Sequence, residues 1–204
     1  MTKITLLRHG QTDFNAQGRL QGRIDNPLNN IGVQQAKKAA KAIGPVDKII
    51  SSPLQRAIQT AEAFNMEVET DENWIELDYG EWDGAHLNTI SKETWSEWRN
   101  NPTFKPPQGE SLETLGARVK LFLENVQRNS KQHLLIVTHV SPIKAAVAWT
   151  LGVDDSVGWR TRLDTASFTQ IQIDANTPIL LKFCLLYTSP SPRDQRGSRM
   201  PSSA

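Results

Sequence analysis

Short apolar runs alternate along the chain with longer stretches whose apolar residues recur every three or four positions. Three runs predict buried strands, at residues 3–7, 47–51 and 134–137. Helical spacing predicts four helices, at residues 31–43, 54–64, 110–128 and 141–151. Strands that alternate with helices are typical of an α/β fold with a mainly parallel central sheet.

Three further stretches complete the predicted architecture. Residues 67–101 are less regular and predict a short strand, a loop and a helix. Ser52 and Pro53 predict an N-cap and a first helical residue for the helix at 54–64. Residues 168–173 alternate apolar and polar side chains, which predicts a half-buried edge strand.

The C-terminal end of the chain has a different composition. Periodicity stops at residue 175, and residues 188–204 are dense in Ser, Pro and Arg, as in disordered tails. The segment CLLYTSPSPRD also resembles translated sequencing-adapter read-through. We therefore predict one domain at residues 1–174 and a disordered or artefactual tail at residues 175–204.

Composition narrows the class of protein. The chain has 204 residues and a formal net charge of +1, which disfavours a nucleic-acid-binding protein. A single cysteine excludes an internal disulfide framework and a multi-cysteine metal site. No apolar run reaches the roughly 18–20 residues of a membrane span, and the first residues lack the profile of a secretory signal. We expect a cytoplasmic protein with no nucleic-acid or membrane partner.

Charged and imidazole side chains follow three of the predicted strands. Arg8 and His9 follow the first, Ser52 and Arg56 the second, and His139 the third long strand. The ligand crevice of an open parallel sheet lies beyond the carboxyl ends of its strands, next to helix N-termini that favour anions. Guanidinium groups bind phosphate and neutral imidazole is a nucleophile. The pattern predicts phosphoryl chemistry.

Each of these residues also has a simpler interpretation. Taken singly, His139 fits a hydrogen-bonded residue at a strand end and Arg56 fits a surface charge. Their convergence at one sheet edge favours a site instead. A metal site is disfavoured because the arginines would repel a cation, so we expect no metal and no cofactor. His86 and His133 are interpreted as surface or loop residues.

Five ordered motifs carry a family resemblance. LLRHGQTDFN, LQGRIDNPLNNIGVQQA, SSPLQRAIQTAE, IELDYGEWDG and VTHVSP resemble, in order and spacing, motifs of the histidine phosphatase superfamily, which is phosphoglycerate-mutase-like. The resemblance covers residues 4–173. It implies a three-layer α/β/α sandwich and a metal-independent mechanism through a phosphohistidine intermediate.

The resemblance also implies residue roles. His9 matches the nucleophile, Arg8 and Arg56 match phosphate-binding arginines, and His139 matches a second histidine that contacts the phosphoryl group. Five residues match phosphate-pocket or substrate-side positions of the family: Gln11, Thr12, Asn15, Gln21 and Gly22.

The proton donor is the least defined of the matched positions. Glu76 matches the acid of the phosphatase branch, and three nearby acids compete with it: Asp78, Glu81 and Asp83. A carboxylic acid must carry a proton to protonate the leaving group. The resemblance therefore predicts a pH optimum on the acidic side of neutral, unless burial raises the pKa of the acid.

By resemblance, the leading hypothesis is a phosphoric monoester hydrolase acting on small phosphorylated metabolites. The alternatives are a 2,3-bisphosphoglycerate-dependent phosphoglycerate mutase and, less favoured, a non-catalytic phospholigand-binding module. THVSPIKAAV and RLDTASFTQIQI resemble α-ribazole-phosphatase-like members. A cobalamin-pathway ester and a broad sugar-phosphate or glycolytic ester both remain open as substrates, as does a homodimer.

Two features near the predicted pocket have two interpretations each. Arg99 and Lys105 favour an additional anionic group on the substrate, or belong to the solvated surface. An aromatic group is more often packing than a binding surface, although one or two of its members could line a pocket mouth: Trp74, Tyr79, Trp82, Trp95 and Trp98.

Overall fold

A six-stranded mixed sheet forms the centre of the computed structural model, which describes residues 1–129, 132–173 and 177–186. The strands are β1 (Thr2–Arg8), β2 (Lys48–Ser51), β3 (Val68–Thr70), β4 (His133–Thr138), β5 (Phe168–Ile173) and β6 (Ile179–Leu185). Their order is β3–β2–β4–β1–β5–β6. The pairings from β3 to β1 are parallel, and the last two are antiparallel, so the mainly parallel sheet is confirmed.

Helices connect and cover the strands. The α-helices are α1 (Asp13–Ala16), α2 (Asn30–Ile43), α3 (Gln55–Ala61), α4 (Lys92–Asn100), α5 (Leu112–Asn129) and α6 (Val140–Leu151). Short 3₁₀ helices occupy Glu62–Phe64, Glu72–Trp74, Gly80–Trp82, Leu87–Thr89 and Asp155–Arg160. Among the described residues, no helix combines the length and apolar character that a bilayer crossing requires.

The sheet separates two hydrophobic cores. Successive side chains of β4 point to opposite faces, so Leu134 and Ile136 belong to one core and Leu135 and Val137 to the other. The first core is closed by α5 and α6, and the second by α2 and α3. A strand buried on both faces reads as a continuous apolar run, which is the pattern of residues 134–137. The expected three-layer α/β/α sandwich is confirmed.

The predicted cap of the helix after β2 is wrong. The N-cap residue of α3 is Leu54, which makes no side-chain capping bond, and the helix begins at Gln55. Ser52 lies before this helix, and its hydroxyl is hydrogen-bonded to the ring Nε2 of His139 at 2.7 Å. Ser52 therefore belongs to the strand-end cluster rather than to the helix terminus.

The predicted edge position of residues 168–173 is also wrong. β5 lies between β1 and β6, and all its residues except Gln172 are buried. β6 pairs antiparallel with β5 over Ile179–Leu185, and Leu180 and Phe183 pack against the first core. The expected end of the domain at residue 174 is therefore too early, because the sheet continues to Leu185. The Ser-, Pro- and Arg-rich stretch after residue 186 lies outside the described residues.

A pair of shortened chains tests the contribution of β6. We expect a chain ending at residue 174 to lose about 3 kcal/mol of unfolding free energy relative to one ending at residue 186. The reason is that β5 loses its hydrogen-bonded neighbour, and Leu180 and Phe183 no longer bury apolar surface. Urea unfolding followed by tryptophan fluorescence measures the difference. Equal unfolding midpoints would show that β6 does not stabilise the sheet.

Candidate active site

The strand register brings the predicted site residues together. β1 pairs Arg8 with Thr138 of β4, and the amide of His9 donates to the carbonyl of Thr138 at 2.9 Å. On the other side of β4, the amide of Ser52 donates to the carbonyl of Val137 at 2.9 Å. The residues that follow these three parallel strands therefore lie side by side at one edge of the sheet.

His9 is buried, and one hydrogen bond defines its tautomer. Its Nδ1 lies 2.7 Å from the carbonyl oxygen of Gly10, which can only accept, so Nδ1 carries the proton. Burial, and then the positive charges of Arg56 and Arg8, hold the pKa of His9 well below 6.5. The ring is therefore neutral at physiological pH, and its lone pair is at Nε2.

His139 lies beside His9, with ring centroids 5.1 Å apart. Its Nδ1 accepts from Nε of Arg56 at 3.2 Å, so the proton of the neutral ring is on Nε2, which donates to the Ser52 hydroxyl. Burial, followed by the charge of Arg56, holds the pKa of His139 well below 6.5. The two histidines are thus opposite tautomers.

Arg56 is fully buried, and its guanidinium group organises the loop after α1. Nη1 donates to the carbonyl of Ile24 at 2.8 Å and Nη2 to the carbonyl of Gly22 at 2.7 Å. Burial lowers the pKa of Arg56 to about 10, against the opposing charge of Glu76, so the group keeps its charge. The second N–H of Nη1 has no acceptor among the described residues, whereas Nη2 also donates to the carbonyl of Gln21 at 3.5 Å.

One hydrogen-bond donor of Arg8 has no partner within the protein. Its Nη1 donates to the carbonyl of Leu163 at 2.7 Å, whereas its Nε is buried without a partner. Burial lowers the pKa of Arg8, and the negative charge of Glu76 opposes that effect. A buried N–H without an acceptor is unfavourable, so this guanidinium group is set to bind an anion.

Glu76 is 4% exposed, and its two carboxylate oxygens differ. Oε1 accepts from the amide of Leu77 at 2.8 Å and from the amide of Ser141, in the first turn of α6, at 3.2 Å. Oε2 makes no hydrogen bond within the described part of the chain. One oxygen therefore anchors the carboxyl group, and the other can exchange a proton.

The three competing acids have structural partners. Asp83 accepts from the amides of Gly22, at 2.5 Å, and Arg23, at 2.8 Å. Asp78 accepts from a backbone amide and pairs with Arg23 at 3.4 Å, while Glu81 accepts from a glutamine side chain. In residues 1–129, 132–173 and 177–186, no group of three or more His, Cys, Asp or Glu side chains could hold a metal ion.

A cavity of about 370 Å³ adjoins this cluster. Its lining combines Arg8, His9 and Glu76 with apolar side chains, most of them contributed by α4, α5 and α6 and by the Asp155–Arg160 segment. These apolar side chains include Leu87, Trp95, Trp98, Leu112, Leu115 and Trp159. Three of the aromatic residues interpreted as packing, Tyr79, Trp95 and Trp98, therefore also form a pocket wall. Trp74 is instead a core residue in edge-to-face contact with Phe122.

Two of the five expected substrate-side residues line the cavity. They are Asn15 and Gln21, and the Nε2 of Gln21 is buried without a partner. Thr12 lies behind them: its hydroxyl donates to Oε1 of Gln21 at 2.6 Å, and it caps α1. Thr12 therefore orients Gln21 rather than forming the cavity wall.

Gln11 and Gly22 also lie away from the wall. The side-chain oxygen of Gln11 accepts from the amide group of Asn29 at 3.1 Å, which joins the nucleophile loop to the start of α2. Gly22 offers its carbonyl to Arg56 and its amide to Asp83. Gln11 therefore supports the site through its side chain, and Gly22 supports it through its backbone.

Three charged residues of the lining, Arg19, Lys144 and Asp155, were missed by the sequence analysis. Lys144 is the single charged residue of the otherwise apolar α6, and that contrast was the available signal. Asp155 lies on the Asp155–Arg160 segment, and burial, followed by the charges of Asp154 and Glu113, raises its pKa to about 6. No motif marks Asp155 in the sequence.

A close backbone contact supports the nucleophile loop. A Cβ atom added to Gly10 would lie 2.5 Å from the carbonyl oxygen of Gly32, in the first turn of α2. Gly32 is equally confined by the backbone of Gln11. Only glycine fits at either position, so the backbone after His9 rests directly on the start of α2.

Comparison with known proteins agrees with this geometry. The model of the histidine phosphatase superfamily, branch 1, matches residues 4–185. Phosphoserine phosphatase 1 of Hydrogenobacter thermophilus is 36% identical over 193 residues, covering 89% of this chain and 92% of that protein. The Entamoeba histolytica phosphoserine phosphatase, solved with 3-phosphoglyceric acid, has a TM-score of 0.83 at 28% identity and covers 92% of this chain and 98% of its own.

An Escherichia coli protein provisionally named α-ribazole-5′-P phosphatase shares the fold at 24% identity. Its TM-score is 0.80, and the match covers 90% of this chain and 96% of that one. The family match extends past the predicted boundary at residue 174 and includes β6. The chain belongs to the histidine phosphatase superfamily, branch 1, and is a phosphatase of that family.

Proposed function

We propose that the chain hydrolyses small phosphate monoesters without a metal, through a phosphohistidine formed at Nε2 of His9. The observation that carries the proposal is the hydrogen bond from Nδ1 of His9 to the Gly10 carbonyl. It directs the lone pair of a neutral imidazole to Nε2, near the positive charges of Arg56 and Arg8. A neutral ring with a defined lone pair is what nucleophilic attack on phosphorus requires.

We expect the phosphoryl group to bind to hydrogen-bond donors that have no acceptor within the protein. These are Nε of Arg8, the second N–H of Nη1 of Arg56 and Nε2 of Gln21. His139 adds its Nε2–H, which the Ser52 hydroxyl accepts in this structure. Fixed positive charge in a buried site stabilises the charge on the transferring group, and this is the main source of rate in phosphoryl transfer.

The reaction then proceeds in two proton-balanced steps. Nε2 of His9 bonds to phosphorus as the ester P–O bond breaks, and Oε2 of Glu76 gives its proton to the leaving alkoxide. In the second step Glu76 takes a proton from water, the water oxygen bonds to phosphorus, and the P–N bond breaks to release phosphate. Glu76 is proposed as the acid because it lines the cavity with His9, while its three competitors do not.

The location, the type of substrate and the oligomeric state of the enzyme are proposed on the resemblance alone. We expect a cytoplasmic protein that acts on small-molecule esters and forms a homodimer. Sedimentation velocity on the full chain tests the homodimer: a mass near twice that of one chain supports it, and a mass of one chain contradicts it.

The nucleophile is tested by His9→Ala in buffer containing EDTA. We expect phosphate release from p-nitrophenyl phosphate and 3-phosphoglycerate to fall by about 10³-fold or more, because no other group forms the covalent intermediate. His133→Gln is the matched control, since His133 is hydrogen-bonded to Thr5 and lies outside the cavity. It should retain at least about half of the wild-type rate.

Two results would contradict this reaction. Phosphate release that survives His9→Ala would remove the nucleophile assignment. Conversion of 3-phosphoglycerate to 2-phosphoglycerate with 2,3-bisphosphoglycerate present, and without net phosphate release, would assign the chain to the mutase reaction instead.

The proton donor is tested by the pH dependence of the wild type and Glu76→Gln. The general acid must carry a proton, which lower pH favours, and the lowered pKa of His9 keeps the nucleophile neutral in mild acid. We therefore expect faster turnover of 3-phosphoglycerate near about pH 5.5 than near about pH 8. Glu76→Gln should slow this alkyl ester by about 10²-fold or more. It should slow p-nitrophenyl phosphate far less, since nitrophenolate leaves without a proton. A wild-type rate that climbs steadily from about pH 5 to about pH 9 would contradict the assignment.

A further inference from the structure

Two hydroxyl groups lie on the cavity wall beside the proposed proton donor. Among the described residues of the lining, only Tyr79 and Ser141 carry a hydroxyl, and Glu76 shares that lining with them. The Ser141 amide donates to Oε1 of Glu76 at 3.2 Å, which fixes the serine against the carboxyl group. The charge of Glu76 also acts on the Tyr79 phenol, so the phenol lies near the same carboxyl group.

The two hydroxyl groups interact with each other. Burial, followed by the negative charge of Glu76, raises the pKa of Tyr79, and a side-chain hydrogen bond with Ser141 opposes that rise. Tyr79 therefore keeps its proton over the pH range of the reaction. A hydrogen bond between two hydroxyl groups uses one proton and one lone pair, so one proton and further lone pairs stay available to a ligand.

Packing holds both groups in place. The Tyr79 ring is in edge-to-face contact with Trp98, with 5.9 Å between the ring centroids. A Cβ atom added to Gly22 would lie 2.8 Å from Cδ2 of Tyr79, so the ring also rests on the backbone of the loop that Arg56 holds. Ser141 is buried in the first turn of α6. Both hydroxyl groups are therefore positioned before any ligand arrives.

Other polar side chains of the lining cannot replace this pair as a hydrogen-bond acceptor. Lys144 and Arg8 lie near enough to the proposed acid for its charge to act on both, but an ammonium and a guanidinium group can only donate. The side-chain oxygens of Asn15 and Gln21 already accept from Thr12. The hydroxyl pair is thus the uncharged acceptor beside the carboxyl group.

The second step of the proposed reaction needs such an acceptor. Water attacks in line with the P–N bond, at the position that the alcohol oxygen has left, and one of its protons goes to Glu76. Its other O–H group also requires a partner, because Glu76 is buried and an unpaired O–H at such a site is unfavourable. An alcohol carries a carbon group in place of that second O–H.

We propose that the hydroxyl groups of Ser141 and Tyr79 bind the attacking water and thereby direct the phosphohistidine to hydrolysis rather than to transfer onto an alcohol. This inference rests on the proposed function, because it requires a phosphoenzyme and Glu76 as the base. In hydrolysis a proton passes from water to Glu76, the water oxygen bonds to phosphorus, and the P–N bond breaks. With an alcohol the same bonds change, but the hydroxyl pair is left without a donor, and a site built for a hydrogen bond discriminates against a ligand that lacks it.

The test measures how the phosphoenzyme divides between water and methanol. p-Nitrophenyl phosphate is the substrate in about 2 M methanol, and phosphorus NMR compares the initial rates of methyl phosphate and phosphate formation. The enzymes are the wild type, Ser141→Ala and Tyr79→Phe. Ser156→Ala is the matched control, because Ser156 is half-buried, lies outside the cavity and is hydrogen-bonded through its side chain to Asp154. The product ratio depends neither on the fraction of folded enzyme nor on which step limits the rate.

We expect the wild type to form mainly phosphate, because water keeps its second hydrogen bond. In Ser141→Ala and in Tyr79→Phe, the ratio of methyl phosphate to phosphate should rise by about 3- to 10-fold, which is the effect of one lost hydrogen bond. Ser156→Ala should give the wild-type ratio.

Other results overturn the inference in distinguishable ways. Unchanged ratios in both variants overturn it, whatever the loss of rate, and a change in one variant alone overturns the pairing of the two hydroxyl groups. A wild type that transfers to methanol in proportion to its molar share of the solvent shows no selection for water. The proposed function fails separately, and this inference with it, if no acid-labile phosphoenzyme forms on His9 and none of the enzymes makes methyl phosphate.

Discussion

The site depends on one buried guanidinium group, that of Arg56. Its hydrogen bonds join α3 to the carbonyls of Gly22 and Ile24 and to the ring of His139, so three separate segments meet at one charge. A buried charge is stable only when its donors are satisfied, and carbonyl dipoles supply that satisfaction here. Because those partners are neutral, the positive charge is not cancelled and remains effective toward an incoming anion.

The cavity divides into a part set by backbone and a part set by side chains. His9 and Glu76 on the cavity wall, and Arg56 behind it, are each fixed by bonds to main-chain groups, which the fold supplies whatever the neighbouring side chains are. Much of the remaining lining consists of side chains from α4, α5, α6 and the Asp155–Arg160 segment. Main-chain contacts therefore position the groups of the phosphoryl chemistry, whereas side chains of the cavity wall set the leaving-group preference.

The sequence could predict the strand-end residues because their placement follows from local pattern. Arg8, His9 and His139 each follow an apolar run, and parallel strands end at one edge. Ser52 was misassigned because a Ser-Pro pair is a helix-start signal, and only the approach of His139 gives its hydroxyl another partner. The strand β6 was missed because all of its side chains are exposed or half-buried, so its pattern lacks a clear period.

Lys144 and Asp155 show a second reason why the sequence did not predict some residues of the site. Their place on the cavity wall depends on how α6 crosses the Asp155–Arg160 segment, and that crossing is a tertiary property. A single charge in an apolar helix is visible in the sequence, but its direction is not. Residues that tune a site are therefore harder to predict than residues that perform its chemistry.

The contact between Gly10 and Gly32 restricts how this enzyme can diversify. Any larger residue at either glycine would push the His9 loop away from α2 and displace the attacking nitrogen, so neither position can be used to adjust reactivity in small steps. Substitutions that preserve catalysis are therefore expected among the side chains of the cavity wall. Libraries designed to change substrate preference should leave the two glycines untouched and sample α4, α6 and the segment after α6.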